Sequence, residues 1–276
     1  MRFGSMIIEF FGPAAAGKTT FAHALCKRLN ERGHHANVVL SYRPGAQLSS
    51  PDPGGGMPAF RRIVRGIIEI ASMAARPIAS KSEFDLTLNL VRALPPRSVV
   101  WFVRLSQYVL RLCRYWELSR ESAEIVIFDQ AFVQVTCALA LYNEHASDAS
   151  ILQALGLVPK ADLIIRLDAP LEMLEARLRE RLRLESPAER ILEANVEKNL
   201  AAIPIVDRVD RLLRMHGASS RFCSLDQPSL CEALDKAEAM ILRLRDRNAG
   251  RDPVPIDIAL GRQHSTTTTS EPVAQP

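Results

Sequence analysis

The chain has 276 residues, of which 47% are hydrophobic and 24% are charged, with a formal net charge of +4. This composition excludes a wholly disordered chain and a collagen-like repeat. The positive charge is too small for the chain length to indicate a nucleic-acid-binding protein.

Short β-branched or aromatic runs alternate with longer amphipathic patterns along the sequence. The runs predict strands at 6–11, 37–40, 125–128, 163–167 and 221–225. The longer patterns predict helices at 18–32, 57–75, 83–93, 99–119, 134–144, 171–184, 189–215 with a break at Pro204, and 229–246. Strands joined by helical crossovers predict an α/β fold with one doubly wound parallel sheet.

Two segments depart from this alternation. Residues 42–58 hold four prolines and four glycines and are predicted to form a long loop. Residues 250–276 have neither helical nor strand periodicity and are rich in Thr, Ser and Pro, so a disordered tail is predicted there. We therefore expect one domain over residues 1–249.

The strongest motif is Gly12-Pro-Ala-Ala-Ala-Gly17-Lys18-Thr19, which follows an apolar strand and opens a helix. Backbone N–H groups of such a loop surround phosphate oxygens, and the following helix N-terminus adds partial positive charge. The motif places Lys18 on the β- and γ-phosphates of a nucleotide and the Thr19 hydroxyl on Mg²⁺. The predicted phosphate-binding residues are Gly12, Pro13, Ala14, Ala15, Ala16, Gly17, Lys18, Thr19 and Thr20.

An apolar strand that ends in an acidic residue supplies a second candidate for the metal. Asp129 follows the run Ile-Val-Ile-Phe, and a carboxylate at this point holds Mg²⁺ in P-loop proteins. Asp168 ends another strand, but it precedes Ala-Pro170 and a helix, where a helix cap is the simpler role. We therefore predict Asp129 as the metal ligand and as a catalytic residue.

Arginines recur along the helix predicted at 171–184. Arg177 and Arg181 are four residues apart and share one face. Arginines on a mobile lid can stabilise charge on a transferred phosphoryl group and exclude water, so both are catalytic candidates on a lid around 177–190. A solvated basic face that pairs with nearby glutamates is an equally weighted alternative.

Together these motifs resemble the nucleoside and nucleotide monophosphate kinases of the P-loop proteins, and thymidylate kinase most of all. Pro44 and Gly45 match the family motif after the second strand, whereas Arg43 stands where the family has Glu. Asp129 matches the family's Asp-Arg-Tyr motif, but Gln130 replaces its Arg. Ala161 to Pro170, followed by Arg177 and Arg181, is similar to the family's fourth strand and lid helix.

The resemblance implies a three-layer P-loop fold with strand order 2-3-1-4-5, ATP as phosphate donor, Mg²⁺ and a lid. It implies Arg43, Arg104 and Gln130 as residues that bind the acceptor, and the neutral Gln130 weakens the grip on an acceptor phosphate. Family relatives also form dimers through flanking helices. The apolar face of 99–118 is a candidate for such contacts, with packing onto the chain's own sheet as the alternative.

Three functions stay open at this point. The first is a thymidylate-kinase-like nucleoside monophosphate kinase, and the second is a kinase for a hydroxyl acceptor such as a nucleoside or another metabolite. The third is an ATP-binding regulatory protein without transfer activity. All three are expected to act without nucleic acid or membrane partners.

Cellular location is predicted from the cysteines and the N-terminus. The five cysteines form no CxxC pair, which argues against a disulfide framework and favours a reducing compartment. The first residues lack the features of a signal peptide, and no apolar run is long enough to span a membrane. A soluble, cytoplasmic protein is therefore expected.

Overall fold

A computed structural model describes residues 5–40, 81–122, 124–184, 196–215, 219–223 and 227–249. The loop expected at 42–58, the helix expected at 57–75 and the tail expected at 250–276 lie outside these residues. None of the described helices combines the length and the apolar character of a membrane-spanning segment.

Five parallel strands form one sheet in the order β2-β3-β1-β4-β5. They are β1 (Met6–Phe11), β2 (Ala36–Val39), β3 (Ile125–Phe128), β4 (Leu163–Asp168) and β5 (Ser219–Cys223). Strands β1 and β3 are buried at every position, as expected where helices cover both faces of a parallel sheet. The predicted fold class and strand order are confirmed.

Nine helices lie within the described residues. They are α1 (Lys18–Glu31), α2 (Lys81–Ala93), α3 (Val99–Arg120), α4 (Phe132–Leu141), α5 (Asp148–Leu157), α6 (Leu171–Leu184), α7 (Val196–Ala201), α8 (Ile203–Met215) and α9 (Gln227–Ala249). Helix α5 was not predicted from the sequence. The predicted break at Pro204 lies instead at residue 202, between α7 and α8.

The helices form two layers, one on each face of the sheet. Alternate residues of β1 show this division, because Ile8 and Phe10 pack in a core with residues of α1 and α9. Ile7 and Phe11 pack in a second core with residues of α2, α3, α4, α5 and α8. A three-layer α/β/α architecture therefore holds the sheet in its middle.

The sheet brings the predicted motifs to one edge. Strands β1 and β3 are neighbours, with Glu9 paired to Phe128, so the loop after β1 and Asp129 after β3 leave the sheet side by side. Carboxyl ends of parallel strands are the usual place for a ligand in an open α/β sheet.

Candidate active site

The loop between β1 and α1 has the backbone of an anion-binding turn. Gly12, Ala15 and Gly17 have φ angles of 143°, 65° and 89°. Positive φ values turn successive N–H groups toward one side, and α1 begins at once after Gly17 and adds its own N–H groups. Lys18 and the loop therefore form a concave site suited to phosphate oxygens.

Gly12 lies against the backbone of β4. A Cβ atom at this position would stand 2.1 Å from the carbonyl oxygen of Leu167, far inside van der Waals contact. The turn can therefore pass so close to the end of β4 only because residue 12 has no side chain.

Lys18 is held across the loop. Its Nζ donates to the carbonyl oxygens of Gly12 and Pro13 at 2.8 and 2.7 Å, and the residue is only 6% exposed. The pKa of Lys18 is lowered to about 8, mainly by burial. Asp129 and Cys137 oppose this shift, and Arg181 contributes to it. The charges of Asp129 and Arg181 therefore both act on the amino group of Lys18.

Thr19 and Asp129 meet, as the motif predicts. The Thr19 hydroxyl donates to Oδ2 of Asp129 at 2.9 Å, and Asp129 is only 3% exposed. A hydroxyl and a carboxylate are hard oxygen ligands of the kind that Mg²⁺ prefers, usually with phosphate oxygens and water completing its shell. This donor pair therefore fits the metal that the motif implies.

Asp168, the competing carboxylate, is engaged elsewhere. It accepts from Arg166 Nη2 at 2.9 Å and from the Ala169 amide at 3.0 Å. The Arg166 side chain is 1% exposed and also reaches Asp207 and Asp210 of α8. Asp168 thus belongs to an ion cluster around the buried Arg166, which joins the end of β4 to α8.

The arginines of α6 fall into two groups. Nη1 of Arg177 donates to the carbonyl oxygen of Ala15 at 3.2 Å, so it lies against the phosphate loop. Arg181 is one turn further along and acts electrostatically on Lys18. Arg179 and Arg183 instead pair with Glu175 and Glu180 on their own helix. Of the arginines of α6, Arg177 therefore contacts the loop and Arg181 acts on Lys18 by its charge. Residues 185–190 of the predicted lid lie outside the described residues.

Two of the three predicted acceptor residues, Arg104 and Gln130, lie in the described part of the chain, and they are far apart. Arg43 lies outside the described residues, and Gln130 follows Asp129 just before α4. Arg104 lies on α3, 4.6 Å above the ring of Trp101, which stacks on Tyr142 at 3.9 Å. Tyr142 ends α4, so about 15 Å of helix separates Gln130 from the group around Arg104.

A cavity of about 570 Å³ opens beside this aromatic pair. Lys198 of α7 lies 5.0 Å from the centre of the Tyr142 ring, so each ring of the stack has a cation near it. The cavity is lined by Arg97, Ser98, Trp101, Leu141, Tyr142, Glu144 and Lys198. Its volume lies in the range of small-molecule sites.

Two side chains at the site escape sequence reasoning. Glu9 is buried inside β1, and its Oε1 accepts from the Val133 amide at 2.5 Å. Oε1 of Gln134 accepts from the Gly12 amide at 3.0 Å and so joins α4 to the phosphate loop. A charged residue inside the otherwise apolar run of β1 is the only signal for Glu9 in the sequence.

No model of a known protein family and no curated protein matches the sequence. Among solved structures, the chain is similar to thymidylate kinase from Ehrlichia chaffeensis, with a TM-score of 0.43 and 14% identity over 86% of this chain and 99% of that one. It is also similar to deoxyadenosine kinase from M. mycoides, with a TM-score of 0.43 and 12% identity over 87% and 100% of the two chains. Likeness at this level says nothing about activity, which has to follow from the residues of the site.

Proposed function

We propose that the chain is an ATP-dependent phosphotransferase that acts on a small acceptor. The observation that carries this proposal is the contact of Thr19 with Asp129, 2.9 Å, beside the Lys18 ammonium at the loop. A cation, a hydroxyl and a carboxylate at adjacent strand ends are the groups that phosphoryl transfer requires, since this chemistry depends on positioning and charge stabilisation.

Each residue has a defined task in this proposal. The loop amides hold the phosphates of ATP, and Lys18 exchanges its two carbonyl partners for phosphate oxygens as the nucleotide binds. Thr19 and Asp129 would hold Mg²⁺, which supplies positive charge to the phosphate oxygens when it is bound. Arg177 and Arg181 of α6 would add positive charge beside the transferred phosphoryl group and exclude water from it.

For the acceptor, the first candidate is a nucleoside monophosphate, which would make the chain a kinase that resembles thymidylate kinase. An acceptor phosphate is already ionised, so the site needs cations around two phosphates and no general base. Arg104, with Lys198 near the same aromatic pair, supplies positive charge at the far end of α4 from Asp129. An acceptor would then extend along α4 from Gln130 toward the cavity.

A hydroxyl acceptor is the second candidate, and Gln130 favours it. Gln130 adjoins Asp129 but carries no charge with which to hold an acceptor phosphate. A hydroxyl acceptor benefits from a carboxylate that accepts its proton, and Asp129 is the candidate for this role.

The test is ADP release from Mg-ATP in the presence of nucleosides, nucleoside monophosphates and phosphorylatable metabolites, each added alone. ADP release that depends on a monophosphate supports the nucleoside monophosphate kinase. ADP release that depends on a hydroxyl compound supports the kinase for a hydroxyl acceptor. ATP binding or slow hydrolysis that no acceptor changes would contradict both and leave an ATP-binding regulatory protein.

Asp129→Asn is expected to lower the rate of transfer roughly 10- to 100-fold, because the amide keeps the shape of the side chain but removes the charge that holds Mg²⁺. Affinity for ATP should then no longer rise when Mg²⁺ is added, as measured by calorimetry with Mg²⁺ or with EDTA. Asp168→Asn is the matched control, since that carboxylate lies in the Arg166 cluster. Asp168→Asn should be less stable than the wild type, but its ATP affinity should still rise with Mg²⁺. If Asp168→Asn lost this rise and Asp129→Asn kept it, the metal would be assigned to Asp168.

Gln130→Arg is expected to lower the KM for a monophosphate acceptor roughly tenfold, because a hydrogen bond to a charged group contributes about 1.5 kcal/mol. Gln130→Met is the control, since it removes the polar group without adding charge. Steady-state kinetics with the acceptor varied at saturating ATP measures the effect. An unchanged or higher KM in the arginine variant would favour the hydroxyl acceptor.

A further inference from the structure

Glu9 is a buried carboxylate that phosphoryl transfer does not itself require. It is 1% exposed and lies on the face of β1 that also carries Ile7 and Phe11, within the core that packs against α4. Its Oε1 accepts from the Val133 amide at 2.5 Å, and the amides of Gln134 and Ala131 are near enough to lower its pKa as the Val133 amide does. Three N–H groups of one helix start therefore converge on a side chain from another element.

This carboxylate acts as the cap of α4. The N-cap residue is Ala131, whose methyl group can accept no hydrogen bond. The first N–H groups of a helix have no partner within it, and negative charge at that end is stabilising. Glu9 supplies the missing acceptor from β1, 124 positions earlier than Val133 in the chain, and it adds negative charge when its carboxyl is ionised.

The capped turn joins two parts of the candidate active site. Asp129 and Gln130 immediately precede Ala131, so the position of this turn decides where both side chains stand. Three residues further on, Gln134 accepts from the Gly12 amide at 3.0 Å and binds α4 to the phosphate loop. Glu9 therefore contacts a helix start that touches both the loop and the Asp129 turn.

We propose that Glu9 is a positioning residue, whose carboxylate fixes the first turn of α4 against β1 and so sets Asp129 and Gln130 relative to the phosphate loop. The kinetic consequence of this inference rests on the proposed phosphotransferase function. The structural consequence, an ordered start of α4, does not depend on it.

The surroundings of Glu9 also shift its pKa, so its titration should affect how folding stability depends on pH. Burial raises the pKa of Glu9 to about 8, although the three amides act in the opposite direction. The titratable group that faces it from α4 is Cys137, and Lys18 and Arg166 are the charged groups that act on the same thiol. The folded protein thus holds this proton more tightly than the unfolded chain, so folding stability should fall as pH rises from about 5 to about 8.

Glu9→Gln tests the proposal because it keeps the size of the side chain and one acceptor oxygen. Its NH₂ group would face N–H donors of α4, which should loosen the first turn. At about pH 9, where the Glu9 carboxyl is ionised, we expect hydrogen exchange of the amides at 131–134 to be roughly tenfold faster in this variant than in the wild type without nucleotide, because a hydrogen bond to a charged acceptor is lost. Unchanged exchange would overturn the proposal.

The kinetic readout separates positioning from loss of stability. Compared with the wild type at about pH 9, where the Glu9 carboxyl is ionised, Glu9→Gln should lower kcat roughly 10- to 100-fold while the KM for ATP stays within about twofold. Ile8→Val is the matched control, since Ile8 is the adjacent residue of β1 and is fully buried in the opposite core. If both variants lowered kcat equally, Glu9 would have only a structural role and the proposal would fail.

The pH readout uses melting temperatures between pH 5 and pH 8. The wild-type value should fall relative to that of Glu9→Gln as pH rises, and parallel curves would overturn the placement of Glu9. If the wild type transfers no phosphoryl group to any acceptor, the proposed function fails on its own. In that case the increase in ATP affinity on adding Mg²⁺ is measured instead of kcat. An increase in Glu9→Gln equal to that of the wild type would overturn the positioning role.

Discussion

Lys18→Ala is expected to reduce phosphoryl transfer by about 10³-fold, because one preorganised donor to developing negative charge is worth about this factor in other enzymes. Lys18 is the first residue of α1, and its Nζ already lies between the carbonyl oxygens of Gly12 and Pro13. The amino group is therefore already held at the loop when phosphate oxygens replace these two carbonyl partners. Burial strengthens the effect, since charges interact more strongly where water is excluded.

The rate of ADP formation with saturating Mg-ATP and acceptor measures this loss. Lys27→Ala is the control, because Lys27 lies on the same helix with a side chain that is 78% exposed and pairs only with Glu31 among the ion pairs of the described residues. Lys18→Met keeps the aliphatic part of the buried side chain and separates loss of charge from loss of packing. A Lys18→Ala rate within about tenfold of wild type, or about 1.4 kcal/mol in the barrier, would show that the loop assignment is wrong.

The elements that the sequence predicts best are those with local and consistent signals. Strands β1 and β3 have the predicted bounds, because each is an apolar run bordered by polar or turn-forming residues. Proline at 204 was read as a helix break, whereas it stands at the second position of α8. A proline in the first turn has no helical partner to lose at its missing N–H, so it marks the start of a helix.

Helix α5 was missed because its apolar residues give a weak periodic signal. Only Ile151 and Ala154 of its ten residues are buried. The better signal is the cap, in which the Ser147 hydroxyl and the Ser150 side chain satisfy each other's backbone amides. A serine in place of the usual Glu or Gln at the third position hides this capping box from a sequence search.

The turn between β1 and α1 is predictable because its glycines and Lys18 are contiguous in sequence, whereas the contacts around it depend on the tertiary fold. Gln134 is 122 positions from Gly12, and Arg166 is 41 and 44 positions from Asp207 and Asp210. Nothing in the local sequence selects these partners. Parallel β-sheets bring distant segments together by their strand order, so such contacts become visible only when the sheet is assembled.

Gly12→Ala is the second variant with a large expected effect, and we expect it to destabilise the protein by about 3 kcal/mol or more. The added Cβ would stand 2.1 Å from the carbonyl oxygen of Leu167. That carbonyl belongs to β4, which pairs with both β1 and β5, so it can move only with the sheet. The residue also has a φ of 143°, which adds strain for any side chain.

Gly33→Ala separates these two causes. Gly33 also has a positive φ, 81°, but no described atom lies within 4 Å of a Cβ built there. Its variant should therefore show backbone strain alone, about 1 kcal/mol, in urea unfolding curves. If both variants lost the same free energy of unfolding, β4 would have moved to make room for the added methyl group. A larger loss at Gly12, together with weaker ATP binding, would show that the phosphate loop depends on its close approach to Leu167.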